Sequence, residues 1–184
     1  MFFASGLAMW AWARSFMAPS AALLAAIVYM LMPYHVFNFA TRCALGEFSA
    51  YAILPLLLLA AGRIGRGEGF GVPLFAVLYA LMIMTHLPAS LLASVFVIPA
   101  YALWLYGFGP GAVGRLVRLG VAALLGIGLS AAYLVPALGL QEHINGQYWW
   151  NGHFDIRGWM IWELVHRREP FFHVLYVYYA LYGL

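Results

Sequence analysis

The chain has 184 residues, of which 66% are hydrophobic and only 8% are Asp, Glu, Lys or Arg, and its formal net charge is +3. No charged residue lies between Glu68 and Arg115 or between Arg118 and Glu142. A soluble fold must cover its surface with polar groups, whereas a bilayer removes that demand and about 20 apolar residues form one helical crossing. The composition therefore excludes a soluble globular domain and predicts an all-α, polytopic transmembrane helix bundle.

The few reactive residue types exclude several kinds of chemistry. All nine basic residues are arginine, which excludes lysine Schiff-base and pyridoxal phosphate chemistry within this chain. Cys43 is the single cysteine, so an internal disulfide and a cysteine-based zinc or iron–sulfur site are excluded. The positive charge of a membrane protein reports orientation, so we expect the lipid bilayer as partner and no nucleic acid. The sequence carries no signal for an oligomeric state.

Apolar runs bounded by charge, glycine or proline predict about six or seven crossings. The runs cover residues 2–13, 19–36, 47–62, 70–86, 88–106, 118–137 and 171–184. The first run opens the chain without a basic region and the last is too short to span. We therefore expect both ends to be truncated from a longer protein. This organisation predicts a bundle over 1–140, an external loop over 141–170 and the start of a further crossing over 171–184.

Prolines and small residues inside the spans predict how the helices pack. Pro55 and Pro99 each remove a backbone hydrogen bond and predict a kink, so a neighbouring helix or water must satisfy the freed carbonyl. Small residues in the sixth run predict a close approach to a neighbouring helix. These residues are Gly120, Gly126, Gly128, Ala131 and Ala132.

The arginines predict the orientation of the spans. The odd-numbered connections carry Arg14, Arg63, Arg66, Arg115 and Arg118. The second and fourth connections hold Arg42 as their one basic residue, and short arginine-bearing loops stay in the cytoplasm, so the even connections are predicted to lie outside. In the external loop, apolar residues such as Trp159 recur at helical spacing and Glu163 pairs with Arg167 at i,i+4. This pattern favours a helix lying flat in the outer interface or, alternatively, a loop helix packed over the bundle.

Two glycine-rich segments resemble nucleotide-binding loops only in spacing. GPGAVG at 109–114 matches the spacing of a dinucleotide-binding loop, but no βαβ unit surrounds it, which favours a simple turn. GRIGRGEG at 62–69 lacks the Gly-Lys-Ser/Thr of a phosphate loop. The six histidines show no HxH or HExxH spacing, so the sequence predicts no compact zinc site.

The candidate site lies at the predicted outer ends of the spans. The ionisable residues at this depth are His35, Arg42, Glu47, His86 and Glu142. Glu47 stands near a helix N-terminus, where the dipole favours a carboxylate, and Arg42 offers a planar fork suited to phosphate. One interpretation is a shared polar pocket that faces outwards. The alternative is that these groups are interfacial anchors.

Several sequence blocks resemble a known bacterial family of membrane proteins. PYHVFNFATRCALGEFSAYAILP at 33–55 resembles the family labelled 6-pyruvoyl-tetrahydropterin synthase-related, as do THLPASLL at 85–92, AAYLVPALGLQE at 131–142 and GHF at 152–154. That family looks like the GT-C class of membrane glycosyltransferases. The resemblance implies a multi-pass protein of the bacterial inner (plasma) membrane that uses a polyprenyl-phosphate-linked sugar at its outer face.

The resemblance also implies roles for single residues. Arg42 would bind the donor phosphate, and Glu47 would act as the catalytic acid–base group or hold a divalent cation. His35, His86 and Glu142 would line the pocket. The chain departs from the GT-C pattern in one respect, because no aspartate stands in its first external connection.

Two further functions stay open. A noncatalytic membrane anchor or assembly partner needs no shared site at all. A secondary transporter should carry ionisable groups or broken helices near the middle of the bilayer. The predicted span centres contain prolines but no carboxylates or arginines.

Overall fold

The structure, a computed structural model, describes residues 1–37, 45–140 and 143. Every regular element within these residues is helical, which confirms the all-α prediction for this part of the chain. The helices are α1 (Phe2–Ala13), α2 (Pro19–Leu31), α3 (Pro33–Phe37), α4 (Leu45–Gly65), α5 (Gly71–Thr85), α6 (Leu87–Leu92), α7 (Ile98–Tyr106), α8 (Ala112–Leu129) and α9 (Ala131–Gly139). A π-helical turn, Ala93–Val97, joins α6 to α7 in one continuous helix.

Three helices in the described residues are long and apolar enough to cross a membrane. They are α4, the continuous helix Leu87–Tyr106 and α8. Three further apolar helices, α1, α2 and α5, are shorter. The findings support a membrane protein, while the number of six or seven crossings stays a prediction. The predicted crossing at 171–184 lies outside the described residues.

Two predicted spans have different bounds in the structure. The run at 19–36 becomes α2 and α3, because Met32 adopts an extended conformation before Pro33, as residues before proline usually do. The predicted start of the sixth span at residue 118 is wrong, since α8 begins at Ala112. The sequence reasoning placed Arg115 and Arg118 in the connection, but both lie in the first turns of the helix. A long arginine side chain can reach water from a helix end, so a charge is a poor marker of the boundary.

The core lies where α4, α5, α7 and α8 meet. α4 packs between α1 and α5, and α5 packs in turn against α8. Leu57, Ile64, Phe75 and Met82 are among the most completely buried large side chains. The chain divides into two compact units, Met1–Val135 and Pro136–Leu184. Most of the second unit lies outside the described residues.

The outward faces of the candidate spans are apolar. The continuous helix Leu87–Tyr106 exposes Leu91, Leu92, Val95 and Phe96, and α8 exposes Val117, Val121, Leu124 and Leu125. Contiguous exposed apolar surface of this kind is costly in water and suits contact with lipid or with another protein.

Pro55 has the partner that its position demands. Proline lacks an N–H group, so the carbonyl of Tyr51, four residues earlier, loses its helical hydrogen bond. The hydroxyl of Tyr29 donates to this carbonyl at 2.9 Å. The prediction that a neighbouring helix satisfies a freed carbonyl is thereby confirmed at Pro55. At Pro99 the helix contains a π turn just before the proline. There the N–H of Ile98 donates a hydrogen bond to the carbonyl of Ala93, five residues earlier.

The close approach predicted for the sixth span is confirmed at one glycine. A Cβ atom at Gly126 would lie 2.9 Å from the carbonyl oxygen of Ala76 and 2.9 Å from a ring carbon of Tyr79, so α8 contacts the backbone of α5 there. No described residue lies within 4 Å of a Cβ atom placed at Gly120 or Gly128, so the prediction is not confirmed at these two positions.

Candidate functional site

The packing of α1 along α4 separates the charged and polar residues of the first unit into two ends. The ring of Phe2 stacks on Phe48 near the start of α4, with 6.0 Å between the ring centroids. The ring of Trp12 contacts Tyr101 at 5.8 Å, and the hydroxyl of Tyr101 lies close to Gly62 near the end of α4.

We call the first region, which holds His35, Glu47 and His86, the histidine end. The second region holds Arg14, Arg63, Arg66, Arg115 and Arg118, and we call it the arginine end.

Glu47 lies in the first turn of α4, and Tyr34 on α3 contacts it. The hydroxyl of Tyr34 donates a short hydrogen bond to the Glu47 carboxylate. Glu47 is half-buried, and the exposed N–H groups of the first helical turn favour a negative charge at this position. A carboxylate that is oriented by a phenol and remains partly accessible can accept a proton from a bound hydroxyl group.

His86 forms the corner between α5 and α6. Its Nδ1 atom accepts the N–H of Ala89 at 3.1 Å and caps the start of the continuous helix Leu87–Tyr106. Because Nδ1 accepts a hydrogen bond, a neutral His86 ring carries its proton on Nε2. The capping bond therefore fixes the ring and leaves Nε2–H as its donor.

Gly46 brings the start of α4, which carries Glu47, against Thr85 and His86. A Cβ atom at Gly46 would lie 2.7 Å from the carbonyl oxygen of Thr85, and 3.5 Å from Cδ2 of His86. The start of α4 therefore touches the backbone at Thr85 and the ring of His86, which only a residue without a side chain allows. This juxtaposition connects two sequence blocks that the sequence analysis could assign only to the same depth.

His35 lies inside the protein among aromatic rings, and 1% of its surface is exposed. Its ring stacks on Tyr51, with 4.5 Å between centroids, and meets the edge of Phe48 at 4.8 Å. Nδ1 stands 3.2 Å from the carbonyl oxygen of Tyr29 and donates to it, since a carbonyl can only accept. Nε2 is buried and has no hydrogen-bond partner within the described residues.

The remaining predicted site residues, Arg42 and Glu142, lie outside the described residues, as do Cys43, the external interfacial helix and most of the loop at 141–170. The structure therefore brings the start of α4, which carries Glu47, against His86 and places His35 within the same end. Tyr34 is a residue of this end that sequence reasoning did not identify. Its position before the glutamate-bearing helix is the signal that points to it.

The described donors do not form a set that could hold a metal ion. Across residues 1–37, 45–140 and 143, no group of three or more His, Cys, Asp or Glu side chains comes together.

Comparison with known proteins does not add a family. No protein-family model, characterised protein or solved structure matches this chain. The family resemblance of the sequence blocks accordingly stays an expectation.

Proposed function

We propose that this protein is a multi-pass membrane glycosyltransferase of the GT-C kind, which transfers a sugar from a polyprenyl phosphate at the outer face of a bacterial plasma membrane. The observation that carries the proposal is the Glu47 carboxylate, which the Tyr34 hydroxyl orients one residue after the glycine that contacts His86. The sequence blocks around these residues supply the reaction class, because they are the blocks that resemble the glycosyltransferase-like family.

In the proposed reaction Glu47 is the general base. The acceptor hydroxyl gives its proton to the Glu47 carboxylate while its oxygen forms a bond to the anomeric carbon of the donor sugar. The bond between that carbon and the phosphate oxygen breaks, and the electron pair leaves with the phosphate. The guanidinium of Arg42 stabilises the charge on the leaving phosphate, and the protonated Glu47 then releases its proton to water.

The neighbouring side chains position these groups. The hydrogen bond from Tyr34 holds the carboxylate in one orientation, which is needed because a small misplacement of a catalytic group costs much of the rate. The Nε2–H group of His86 is a donor for a sugar or phosphate oxygen. In the proposal Glu142 lines the pocket, whereas His35, which is buried among aromatic rings, supports the packing of this end.

One specific observation favours a noncatalytic alternative. His86 caps a helix and His35 fills an aromatic cluster, so both rings already have structural functions. An anchor or assembly protein would need nothing more from them. The structure offers less to a transporter, since the charged residues of α4 are Glu47 in its first turn and Arg63 in its last.

The test uses the intact protein in vesicles, with transfer of a labelled sugar from polyprenyl phosphate as the readout. Glu47→Gln keeps the shape and removes the base, so we expect turnover to fall by about a hundredfold or more. Arg42→Lys keeps the charge and loses the bidentate fork, so we expect weaker use of the donor. The matched control is Ser49→Ala, because the Ser49 hydroxyl bonds to the carbonyl of Leu45 in its own helix.

Protection by the donor separates the enzyme from the anchor. If the proposal holds, polyprenyl-phosphate sugar raises the thermal unfolding temperature of the intact protein, and Arg42→Lys weakens that effect. Full activity of both Glu47→Gln and Arg42→Lys, with normal insertion, would remove the site assignment. An absence of both transfer and protection would favour the anchor, and donor-dependent flux of solute across the vesicle membrane would favour transport.

A further inference from the structure

The two glycine-rich segments of the sequence meet at the arginine end. One forms the turn around Gly67 after α4, and the other forms the turn around Gly111 before α8. Between them lies an open cavity of about 290 Å³, whose lining includes both turns and three arginines. We call this cavity the arginine cleft; its arginines are Arg66, Arg115 and Arg118.

The charges of the arginine cleft are not balanced. Glu68 pairs with Arg66, with 2.7 Å between Nε and the carboxylate, and more loosely with Arg63 at 3.6 Å. Arg115 and Arg118 form no ion pair with any residue that the structure describes. They lie one turn apart on the same helix, so their like charges repel each other and both face a cavity without a carboxylate partner of their own.

The backbone around the cleft also favours an anion. Gly67 and Gly111 have φ angles of 79° and 80°, in the left-handed region that glycine tolerates best. A Cβ atom at Gly67 would lie 4.0 Å from Nη1 of Arg118, which shows how closely this turn approaches the guanidinium. α8 starts from Gly111 without a side-chain cap among the described residues, so its first N–H groups and its dipole add positive potential beside the arginines.

We infer that the arginine cleft binds a phosphate group. Two guanidinium groups without a carboxylate partner offer the planar, multiple donors that phosphate oxygens match, and a helix N-terminus supports the same charge. The orientation predicted from the arginines places the cleft on the cytoplasmic side, where basic pockets between helices bind lipid headgroups. The group is therefore the headgroup of an anionic phospholipid or a soluble phosphate compound. This site lies at the opposite end from Glu47 and does not depend on the proposed function.

The experiment distinguishes these two sources. The intact protein is placed in nanodiscs of phosphatidylcholine, and its thermal unfolding is measured as sodium pyrophosphate is added, with sodium chloride at matched ionic strength as reference. In a second arm the nanodiscs contain phosphatidylglycerol, and native mass spectrometry measures how much of this lipid stays bound. A rise in unfolding temperature in the first arm identifies a soluble phosphate compound, and retained phosphatidylglycerol identifies a headgroup.

One variant that should weaken phosphate binding and one that should tighten it make the test specific. The double variant Arg115→Gln/Arg118→Gln should weaken binding in the responding arm by about tenfold or more, equivalent to about 1.4 kcal/mol or more, because both unpaired guanidinium groups are removed. Glu68→Gln removes the carboxylate that competes for Arg66 and should tighten binding. Arg14→Gln is the matched control, because Arg14 belongs to the same end but stacks over the ring of Trp10, with 5.5 Å to the centroid.

The outcomes that would overturn the inference are equally definite. The arginine cleft does not bind phosphate if neither arm responds, or if sodium chloride reproduces the whole effect. The same conclusion follows if the double variant binds as well as Arg14→Gln. If the double variant fails to fold, Glu68→Gln still decides, because unchanged or weaker binding by this variant contradicts a cleft in which Glu68 competes with the ligand.

Discussion

The histidine end and the arginine end differ in whether their polar side chains have partners within the described residues. At the histidine end Tyr34 orients Glu47, Ala89 fixes the ring of His86, and aromatic rings enclose His35. At the arginine end Arg115 and Arg118 face a cavity without ion-pair partners among the described residues. Groups that are held by their neighbours suit a reaction that needs positioned atoms, whereas cations without partners suit a ligand that brings its own negative charge.

The largest expected effect is an all-or-none difference in labelling that tests which end faces outwards. Cys43 is the only thiol and is predicted to lie in an external connection, so a membrane-impermeant maleimide should label it in intact cells. The matched variant is Ser15→Cys with Cys43→Ser, since Ser15 is exposed beside the arginine end and should react only after the cells are opened.

Reversed labelling of these two thiols would contradict the orientation. The histidine end would then face the cytoplasm, and a donor at the outer face could not reach Glu47. The difference in side-chain partners between the two ends would not change, but the proposed glycosyl transfer at the outer face would be wrong.

The second prediction breaks the contact of Gly46, the residue before Glu47, with Thr85 and His86. Gly46→Ala places a methyl group 2.7 Å from the backbone oxygen of Thr85, which cannot move aside as a flexible side chain would. We expect a loss of about 1–3 kcal/mol in the free energy of unfolding and a loss of most sugar transfer. Thermal unfolding in detergent and the vesicle assay measure these changes.

Its control lies on α8. No described residue lies within 4 Å of a Cβ atom placed at Gly120, so Gly120→Ala should be neutral or more stable by up to about 1 kcal/mol, as expected for glycine replaced within a helix. Equal behaviour of the two variants would show that the close approach at Gly46 does not position the site.

The third prediction concerns the hydroxyl that orients the carboxylate. Tyr34→Phe keeps the ring and removes the hydrogen bond to Glu47, so turnover should fall by about tenfold, the equivalent of one hydrogen bond to a charged group. A structural role alone would lower stability and leave the turnover of the folded protein unchanged. The measurement is therefore kcat for sugar transfer, corrected for the amount of folded protein.

The smallest effect is expected at the bond that compensates Pro55. Tyr29→Phe leaves the carbonyl of Tyr51 without its donor from α2, which should cost about 1–2 kcal/mol of unfolding free energy. Tyr133→Phe serves as control, because Tyr133 is exposed on α9. If both substitutions prove neutral, the Tyr29 hydroxyl does not stabilise α4.

The sequence by itself determined the features that depend on short-range pattern. Long uncharged runs predicted the helices, and most of the described helices begin and end near the predicted residues, because hydrophobicity and proline act on the local chain. The need for a partner at Pro55 also followed from the chemistry of one residue. The start of α8 was misplaced because the charge of Arg115 and Arg118 was taken as a helix boundary.

Only the tertiary structure decided which distant groups meet. Gly46 touches Thr85 and His86, and the turns at Gly67 and Gly111 share one cavity, although nothing in their local sequences pairs them. The same holds for the Tyr29 hydroxyl, which reaches the Tyr51 carbonyl from another helix. Such contacts depend on how each helix is rotated and where it crosses its neighbours, and these are set by side-chain packing across the whole bundle rather than by any local pattern.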